Sequence, residues 1–182
     1  MVKKKHILLL CTLLIACETL YAETAKKDFA AKRACMTFKQ AVDPIELVAF
    51  AQKLLGIPYR YGGSNPKLGF DCSGFVNYVF KSFHFSVPRS SSAFSKYGEK
   101  ISLEEASPGD LILFRGTNPK IKSIGHIGII VSKAGEPVRF IHASSGKTQC
   151  VTETPLDTRY QKRFVKVIRL LNLYLNNSVS TH

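Results

Sequence analysis

Apolar positions recur at helical spacing in the first part of the chain. One stripe, which follows Asp43 and Pro44, consists of Leu47, Val48, Ala51, Leu54 and Leu55. This spacing places the apolar side chains on one face of an amphipathic helix. Asp43 suits the N-cap and Pro44 the first helical position, whereas Gly56 and Pro58 favour an end to the helix. The pattern therefore predicts a first helix that begins at Pro44 and stops at Gly56.

A second amphipathic helix is predicted from residue 72 to about residue 82. Its apolar face consists of Phe75, Val76, Val79, Phe80 and Phe83. The preceding residues 59–70 are a turn-rich loop in which Gly62, Gly63 and Gly69 permit close approach of the backbone. A glycine-rich loop before a helix can hold a phosphate, but neither G-x-x-x-x-G-K-[ST] nor G-x-G-x-x-G is present. The loop therefore gives no support to a nucleotide site.

The second half of the chain carries short apolar and β-branched runs that are separated by turns. After a short helix over residues 90–96, the sequence predicts strands over residues 110–114, 125–131, 138–143, 148–152 and 164–170. A turn at residues 134–137 makes the second and third of these strands neighbours. Helices followed by hairpin-linked strands predict an α+β fold, with N-terminal helices packed on an antiparallel sheet of five or six strands.

The N-terminal segment has the pattern of a bacterial export signal. Three lysines at residues 3–5 precede an apolar run over residues 7–16, which is too short to span a bilayer as a permanent helix. Two cleavage positions fit. One follows Ala22; the other precedes Cys17, where Leu-Ile-Ala-Cys resembles the lipobox of bacterial lipoproteins. We favour the second position, which would make Cys17 a lipidated anchor.

These patterns divide the chain into four parts. Residues 1–17 are the signal, residues 18–42 a lysine-rich leader, residues 43–171 the folded domain and residues 172–182 a polar tail. The leader is too short to hold a separate targeting domain. The protein is expected to be exported, and to be either anchored to the membrane by lipid or held in the periplasm or cell envelope as a monomer.

Composition narrows the range of partners. A chain of 182 residues with 45% hydrophobic residues can bury the core of one domain, and a formal net charge of +13 suits anionic wall polymers, lipids or nucleic acid. An export signal argues against nucleic acid. Outside the signal lie Cys35, Cys72 and Cys150, an odd number with no C-x-x-C spacing, so neither a metal nor another cofactor is expected.

Cys72 is the candidate nucleophile. It is predicted at a helix start, where unpaired N–H groups and the helix dipole favour a thiolate and so lower the pKa of the thiol. A cysteine nucleophile also needs a base and a group that orients the base. His126 and His142 lie on adjacent predicted strands, where antiparallel pairing can bring them together beneath the helix that carries Cys72.

Four blocks of the sequence carry a resemblance to a known family. They are PYRYGG at residues 58–63, FDCSGFV at residues 70–76, PGDLILF at residues 108–114 and GHIGI at residues 125–129. In this order they resemble the signature blocks of the NlpC family of bacterial cell-wall cysteine peptidases. The resemblance implies a papain-like α+β fold and hydrolysis of peptidoglycan stem peptides, typically between γ-D-glutamate and a diamino acid such as meso-diaminopimelate.

The resemblance also implies a role for particular residues. Cys72 matches the nucleophile, His126 the general base and His142 the third polar member. Tyr59 matches a tyrosine that lines the site and contributes to the oxyanion hole.

Substrate-binding residues are expected beside the nucleophile. Asp71 and Ser73 match positions that hold the free amine of the stem peptide in some relatives. Because the substrate carries several carboxylates, the basic side chain of Arg89 is a candidate for binding one of them, although a surface arginine fits at least as well.

Two alternatives to a stem-peptide endopeptidase stay open from the sequence. One is an amidase or acyltransferase on the same scaffold, and the other is an inactive lipoprotein that binds the wall. The presence of Cys72, His126 and His142 together favours an enzyme over the inactive binder.

Overall fold

The computed structural model describes residues 42–171. The predicted signal, the leader up to residue 41 and the tail over residues 172–182 lie outside the described residues. The expectations for Cys17 and Cys35 lie there too. Among the described residues, no helix is both long enough and apolar enough to cross a lipid bilayer.

The first half of the described chain is built from helices and one small hairpin. In chain order these are α1 (Pro44–Gln52), β1 (Ser64–Asn65), β2 (Gly69–Phe70), α2 (Cys72–Ser82) and a 3₁₀ helix (Ser91–Lys96). The second half contains β3 (Glu99–Ile101), β4 (Leu111–Arg115), β5 (Ile124–Ile130), β6 (Arg139–Ala143), β7 (Val151–Pro155), α3 (Thr158–Gln161) and β8 (Phe164–Arg169).

Six strands form one antiparallel sheet in the order β3-β8-β4-β5-β6-β7. The expected α+β architecture, with helices first and an antiparallel sheet of five or six strands, is confirmed. Strand β8, the last strand of the described residues, pairs with both β3 and β4 and therefore lies inside the sheet.

The two predicted amphipathic helices begin where the sequence indicated, at Pro44 and at Cys72. The Asp43 side chain accepts the backbone N–H of Ile45 at 2.8 Å and Pro44 is the first residue of α1, as expected for an N-cap followed by proline. The predicted end of α1 was wrong, because the helix stops at Gln52 and residues 53–56 form a turn. Leu55 therefore leaves the predicted apolar stripe and is 46% exposed.

The predicted strands are confirmed, but one of them begins and ends three residues later than expected. The strand expected over residues 148–152 is β7 at Val151–Pro155, because the chain still turns at Gln149, whose φ is 48°. Strand β3, the hairpin of β1 and β2, and helix α3 were not predicted. Each has between two and four residues, too few for a hydrophobic period to be recognised.

Helix α2 packs its apolar face against the middle of the sheet. Phe75, Val76, Val79 and Phe80 are fully buried in a core that also contains alternate residues of β4 and β5. The intervening residues of β4, Ile112 and Phe114, face a second core on the opposite side of the sheet. Burial on both faces explains why β4 reads as a continuous apolar run. The packing also holds the first residue of α2 beside β5.

Gly74 allows α2 to pack tightly against the glycine-rich loop. A Cβ at this position would overlap the carbonyl oxygen of Gly63, which accepts the N–H of Asp71 at 3.0 Å. Gly74→Ala is therefore expected to lower the free energy of unfolding by about 2 kcal/mol, the cost of overpacking a rigid contact. Urea unfolding of the folded protein measures this loss. Gly116→Ala is the control, since its added Cβ would meet only Gly125 Cα at 3.9 Å. An equal loss of stability in both variants would contradict the claim that Gly74 is required by its close contact with Gly63.

Candidate active site

Cys72 is the first residue of α2 and lies beside β5. Asp71 caps the helix, its carboxylate accepting the N–H of Gly74 at 2.6 Å, so the cap fixes the position of the adjacent cysteine. Cys72 is half-buried, and its thiol interacts with the backbone N–H groups of Ser73 and Ile127. Ile127 immediately follows His126 on β5, so the sulfur lies against the strand that carries the candidate base.

The pKa of the Cys72 thiol is raised, not lowered. Burial disfavours the thiolate most, and the negative charge of Asp71 adds to this effect. The backbone N–H groups of Ser73, Ile127 and Cys72 itself act in the opposite direction but do not outweigh burial. The expectation that the helix start lowers this pKa was therefore wrong. Cys72 rests as a thiol at neutral pH and needs a base to become nucleophilic.

His126 and His142 form a hydrogen-bonded pair on neighbouring strands. Strands β5 and β6 are antiparallel, and Nε2 of His126 lies 2.9 Å from Nδ1 of His142, with the two rings nearly perpendicular at 87°. On the far side, Nε2 of His142 lies 3.0 Å from Oγ1 of Thr154 on β7. His126, His142 and Thr154, hereafter the histidine row, thus connect three adjacent strands, and the predicted convergence of the two histidines is confirmed.

The histidine row determines which nitrogen of His126 is available as a base. If Nε2 of His126 carries its proton and donates to Nδ1 of His142, then Nδ1 of His126 keeps a lone pair. His142 then carries its proton on Nε2 and donates it to Thr154 Oγ1. The row therefore supports the tautomer that a general base requires, with the free nitrogen directed away from the row.

Both histidines are neutral because they are buried. His126 is 9% exposed and His142 is fully buried. The pKa of His126 lies well below its usual value because of burial, followed by the charges of His142 and Arg163. Burial, with the charges of Arg159 and Arg163, lowers the pKa of His142 to about 3. At neutral pH the site therefore holds a thiol beside uncharged imidazoles.

The acid limb of any activity that uses His126 as base is expected below pH 6.5. Because its pKa is lowered from 6.5, the imidazole stays unprotonated where an ordinary histidine is already charged. We expect kcat/KM to hold steady from about pH 7.5 to 6.5 and to fall only as the pH drops through the lowered pKa. Measuring kcat/KM against pH tests this, and a half-maximal point at or above pH 6.5 would contradict it.

Circular dichroism at each pH separates loss of the base from unfolding. The two histidines are neutral when folded but take up protons when unfolded, so stability decreases as the pH falls below about 6.5. Only pH values at which the folded spectrum persists enter the profile.

Tyr59 reaches the site from the glycine-rich loop. Its N–H donates to Gln149 O at 2.8 Å, and Tyr59 pairs with Phe70 in a short β-bridge. The pKa of the Tyr59 hydroxyl is raised by burial and by the charges of Cys72 and Asp71, while a hydrogen bond with Ser145 lowers it. The hydroxyl is therefore a protonated donor within electrostatic range of the sulfur, and its role in an oxyanion hole stays a prediction.

Arg89, Asp71 and Ser73 lie together beside the nucleophile. Arg89 donates to both carboxylate oxygens of Asp71 at 3.0 and 2.8 Å, to Ser73 Oγ at 3.2 Å, and to the carbonyl oxygens of Gly62 at 2.8 Å and Gly63 at 3.3 Å. These bonds tie the helix start to the glycine-rich loop. Arg89 thus has the geometry of a positioning residue, and its expected role as a carboxylate ligand stays a prediction.

Asp71 has less capacity for a substrate amine than the sequence indicated. Its carboxylate already accepts from Arg89 and from the N–H of Gly74, and Ser73 Oγ lies 3.3 Å from one of its oxygens. An ammonium group would share these oxygens with Arg89. The amine-binding role of Asp71 and Ser73 therefore stays a prediction, and it requires the amine to bind carboxylate oxygens that already accept hydrogen bonds from Arg89.

Several residues near the candidate site were not predicted from the sequence. Thr154 lies beyond the end of the strand predicted over residues 148–152, and Tyr160 belongs to the short helix α3. The Tyr160 hydroxyl lies 3.5 Å from Nε2 of His142, and the guanidinium groups of Arg159 and Arg163 lie 4.9 and 5.6 Å from the Tyr160 ring centroid. The only available hint was the spacing of two arginines around a tyrosine.

The described part of the chain contains no cluster of side chains that could bind a metal ion. Over residues 42–171, no three His, Cys, Asp or Glu side chains are placed to hold one ion. Cys72 and Cys150 are both free thiols there.

Comparison with known proteins finds a matching family model and several similar proteins. The sequence profile of the NlpC/P60 family matches residues 56–169. The chain is 39% identical over 134 residues to a gamma-DL-glutamyl hydrolase of Bacillus subtilis, covering 71% of this chain and 30% of the relative. It is 33% identical over 129 residues to a gamma-D-glutamyl-L-lysine dipeptidyl-peptidase of the same organism, covering 71% and 40%.

The fold is shared with a solved structure as well. A crystal structure of an NlpC/P60 family protein from Bacillus cereus superimposes with a TM-score of 0.62 at 30% identity, over 71% of this chain and 41% of that chain. The chain spans less than half the length of each of these three proteins.

Proposed function

Because the chain belongs to the NlpC/P60 family, we propose that it is a peptidoglycan hydrolase that cleaves stem peptides between γ-D-glutamate and the diamino acid that follows. Cys72 is the nucleophile, His126 the general base and His142 the residue that orients the base. The observation that carries the proposal is the histidine row, whose hydrogen bonds use Nε2 of His126 and leave its Nδ1 outside the row, on the strand next to the Cys72 thiol.

Acylation begins with a neutral thiol. Nδ1 of His126 accepts the proton of Cys72 as the sulfur attacks the γ-carbonyl carbon, and a carbon–sulfur bond forms. The imidazolium then gives that proton to the amide nitrogen, the carbon–nitrogen bond breaks and the diamino acid leaves as an amine. The acyl group remains on Cys72 as a thioester. Proton transfer accompanies the attack because the raised thiol pKa and the lowered imidazole pKa disfavour a resting ion pair.

Deacylation restores the thiol by the same groups. His126 accepts a proton from water, the resulting hydroxide attacks the thioester, and the carbon–sulfur bond breaks as the sulfur takes the proton back from the imidazolium. The stem peptide leaves with a new γ-carboxylate. In this mechanism His142 stabilises the transient imidazolium through its bond to Nε2, so that Nδ1 is the nitrogen that exchanges protons with the reacting groups.

The oxyanion is held by donors around the helix start. The backbone N–H of Cys72 lies at the N-terminus of α2, where helix N–H groups have no partner in the helix, and the Tyr59 hydroxyl approaches from the loop. Burial raises the pKa of Tyr59, so its hydroxyl keeps the proton that it donates.

Export places this activity at its substrate. We propose that residues 1–17 direct export and that lipidation of Cys17 anchors the enzyme at the membrane, next to the peptidoglycan layer. The positive charge of the chain suits a polymer rich in carboxylates.

Digestion of purified muropeptides tests the proposed bond. The expected products are L-Ala-γ-D-Glu still attached to the amino sugar and a peptide with a new amino terminus at the diamino acid, identified by mass spectrometry. Cleavage of the amide bond between the lactyl group and L-Ala would indicate an amidase. Transfer of the acyl group to an added amine without hydrolysis would indicate an acyltransferase. Binding to insoluble peptidoglycan without any cleavage would indicate a wall-binding protein and would contradict the proposal.

A further inference from the structure

A cavity of about 260 Å³ opens beside the candidate base. His126 forms part of its wall, and the remaining wall includes two arginines of the segment around α3 together with Tyr160, Thr117 and Ser145. Apart from His126, none of these residues has a part in the transfer of the proton. The cavity is therefore a separate space that shares one wall with the proposed reaction centre.

The two arginines, Arg159 and Arg163, make this cavity positive. Both guanidinium groups lie against the Tyr160 ring, at 4.9 and 5.6 Å from its centroid. The cavity wall contains no carboxylate. Across residues 42–171, the one acidic partner of Arg159 is Asp157, at 3.9 Å between two exposed side chains, an arrangement that contributes little.

Arg163 is held rigidly in the wall. Its Nε and one terminal nitrogen donate to Arg115 O at 3.0 and 2.8 Å, which fixes the plane of the guanidinium. Burial lowers the pKa of Arg163, and the neighbouring charge of Arg159 lowers it further. Two like charges at a partly buried cavity repel each other, and an anion between them would relieve the repulsion while accepting hydrogen bonds from both.

The position of His126 indicates which part of a substrate enters the cavity. A general acid must approach the leaving nitrogen to within about 3 Å, so the residue that supplies the leaving amine lies on the side of the imidazole. In the proposed reaction that residue is a diamino acid. Its far end carries a carboxylate in diaminopimelate and none in lysine.

We propose that this cavity is a carboxylate-binding subsite for the leaving diamino acid, with Arg159 and Arg163 as its cationic ligands. The subsite rests on the proposed function and adds to it a preference for a diamino acid with a distal carboxylate over lysine. Arginine suits this task because its planar donors match a carboxylate in pairs.

Two synthetic substrates and three variants test the subsite. The substrates are L-Ala-γ-D-Glu-meso-diaminopimelate and L-Ala-γ-D-Glu-L-Lys. Arg159→Gln removes the charge, Arg159→Lys keeps it without the planar fork, and Lys162→Gln removes one charge from a neighbouring residue that does not line the cavity. The unmodified protein is expected to favour the diaminopimelate substrate by at least about tenfold in kcat/KM, the value of one charge-assisted hydrogen bond.

Arg159→Gln is expected to remove most of this preference, mainly through a higher KM for the diaminopimelate substrate and with a smaller change for the lysine substrate. Arg159→Lys should restore part of it, and Lys162→Gln should leave the ratio unchanged. Equal losses on both substrates, or a ratio that Arg159→Gln leaves unchanged, would overturn the subsite. Failure of the unmodified protein to cleave either substrate would instead overturn the proposed function.

Discussion

Cys72→Ala is expected to lower kcat/KM on the stem peptide by at least about 10⁴-fold, because loss of the nucleophile removes the covalent route altogether. The fold should persist, since the side chain is partly exposed and α2 is held by its buried phenylalanines and valines. Hydrolysis of the tripeptide, followed by chromatography of the released amine, gives the rate. Circular dichroism shows whether the variant is folded.

Cys150→Ala is the matched control. Cys150 is the other free thiol of the described residues, is also partly buried, and takes no part in the proposed reaction. We expect it to retain most of the activity. Comparable losses in the two variants would mean that a general structural effect, not nucleophilic attack by Cys72, accounts for the result.

His126→Asn is expected to lower kcat/KM at neutral pH by about 10²- to 10⁴-fold, the usual contribution of a general base. The reason is specific to this site: burial raises the pKa of Cys72, so without a base almost all of the sulfur remains a thiol at pH 7. The loss should become smaller as the pH rises past the ordinary thiol range, because Cys72 then ionises unaided. Rates of tripeptide cleavage from pH 7 to about pH 10 measure this recovery.

His84→Asn provides the comparison for this second variant. His84 is exposed, has a φ of 66° that asparagine tolerates, and is not a member of the histidine row. Its pH profile should match that of the unmodified protein. A His126 variant whose loss is the same at every pH would contradict the assignment of His126 as the base.

The backbone frame of the site follows from local sequence patterns. The position of Cys72 at the start of α2 is encoded by Asp71 and by the apolar spacing that begins at Phe75, both of which act within one or two turns. The meeting of His126 with His142 follows from a single hairpin, so adjacency along the chain was enough to predict it.

Features that depend on tertiary packing were not predictable in the same way. The raised pKa of Cys72 results from burial under neighbouring elements, which outweighs the helix start that the sequence reveals. Thr154 completes the histidine row only because β7 begins three residues later than its pattern indicated. Arg89 shows the same limit, since its partner Asp71 lies 18 positions earlier, in another element.

The short helix α3 is the most important element that the sequence analysis did not predict. With four residues it has no recognisable period, yet it places Arg159 and Tyr160 beside the histidines. Such an element is stabilised by its surroundings, here by Asp157 accepting the N–H of Tyr160 at 3.0 Å and by the Tyr160 ring packing against Phe114 and Phe140. The proposed specificity of the enzyme therefore depends on the part of the fold that the sequence reveals least.

The most direct test of the proposed chemistry is detection of the acyl-enzyme. The protein is mixed with excess L-Ala-γ-D-Glu-meso-diaminopimelate, quenched in acid within the first turnover, digested and examined by mass spectrometry. The reaction proposed here gives an L-Ala-γ-D-Glu adduct on the peptide that contains Cys72, which hydroxylamine removes and which Cys72→Ala lacks. Cleavage of the same bond at an undiminished rate by Cys72→Ala, or an adduct on any other residue, would contradict it.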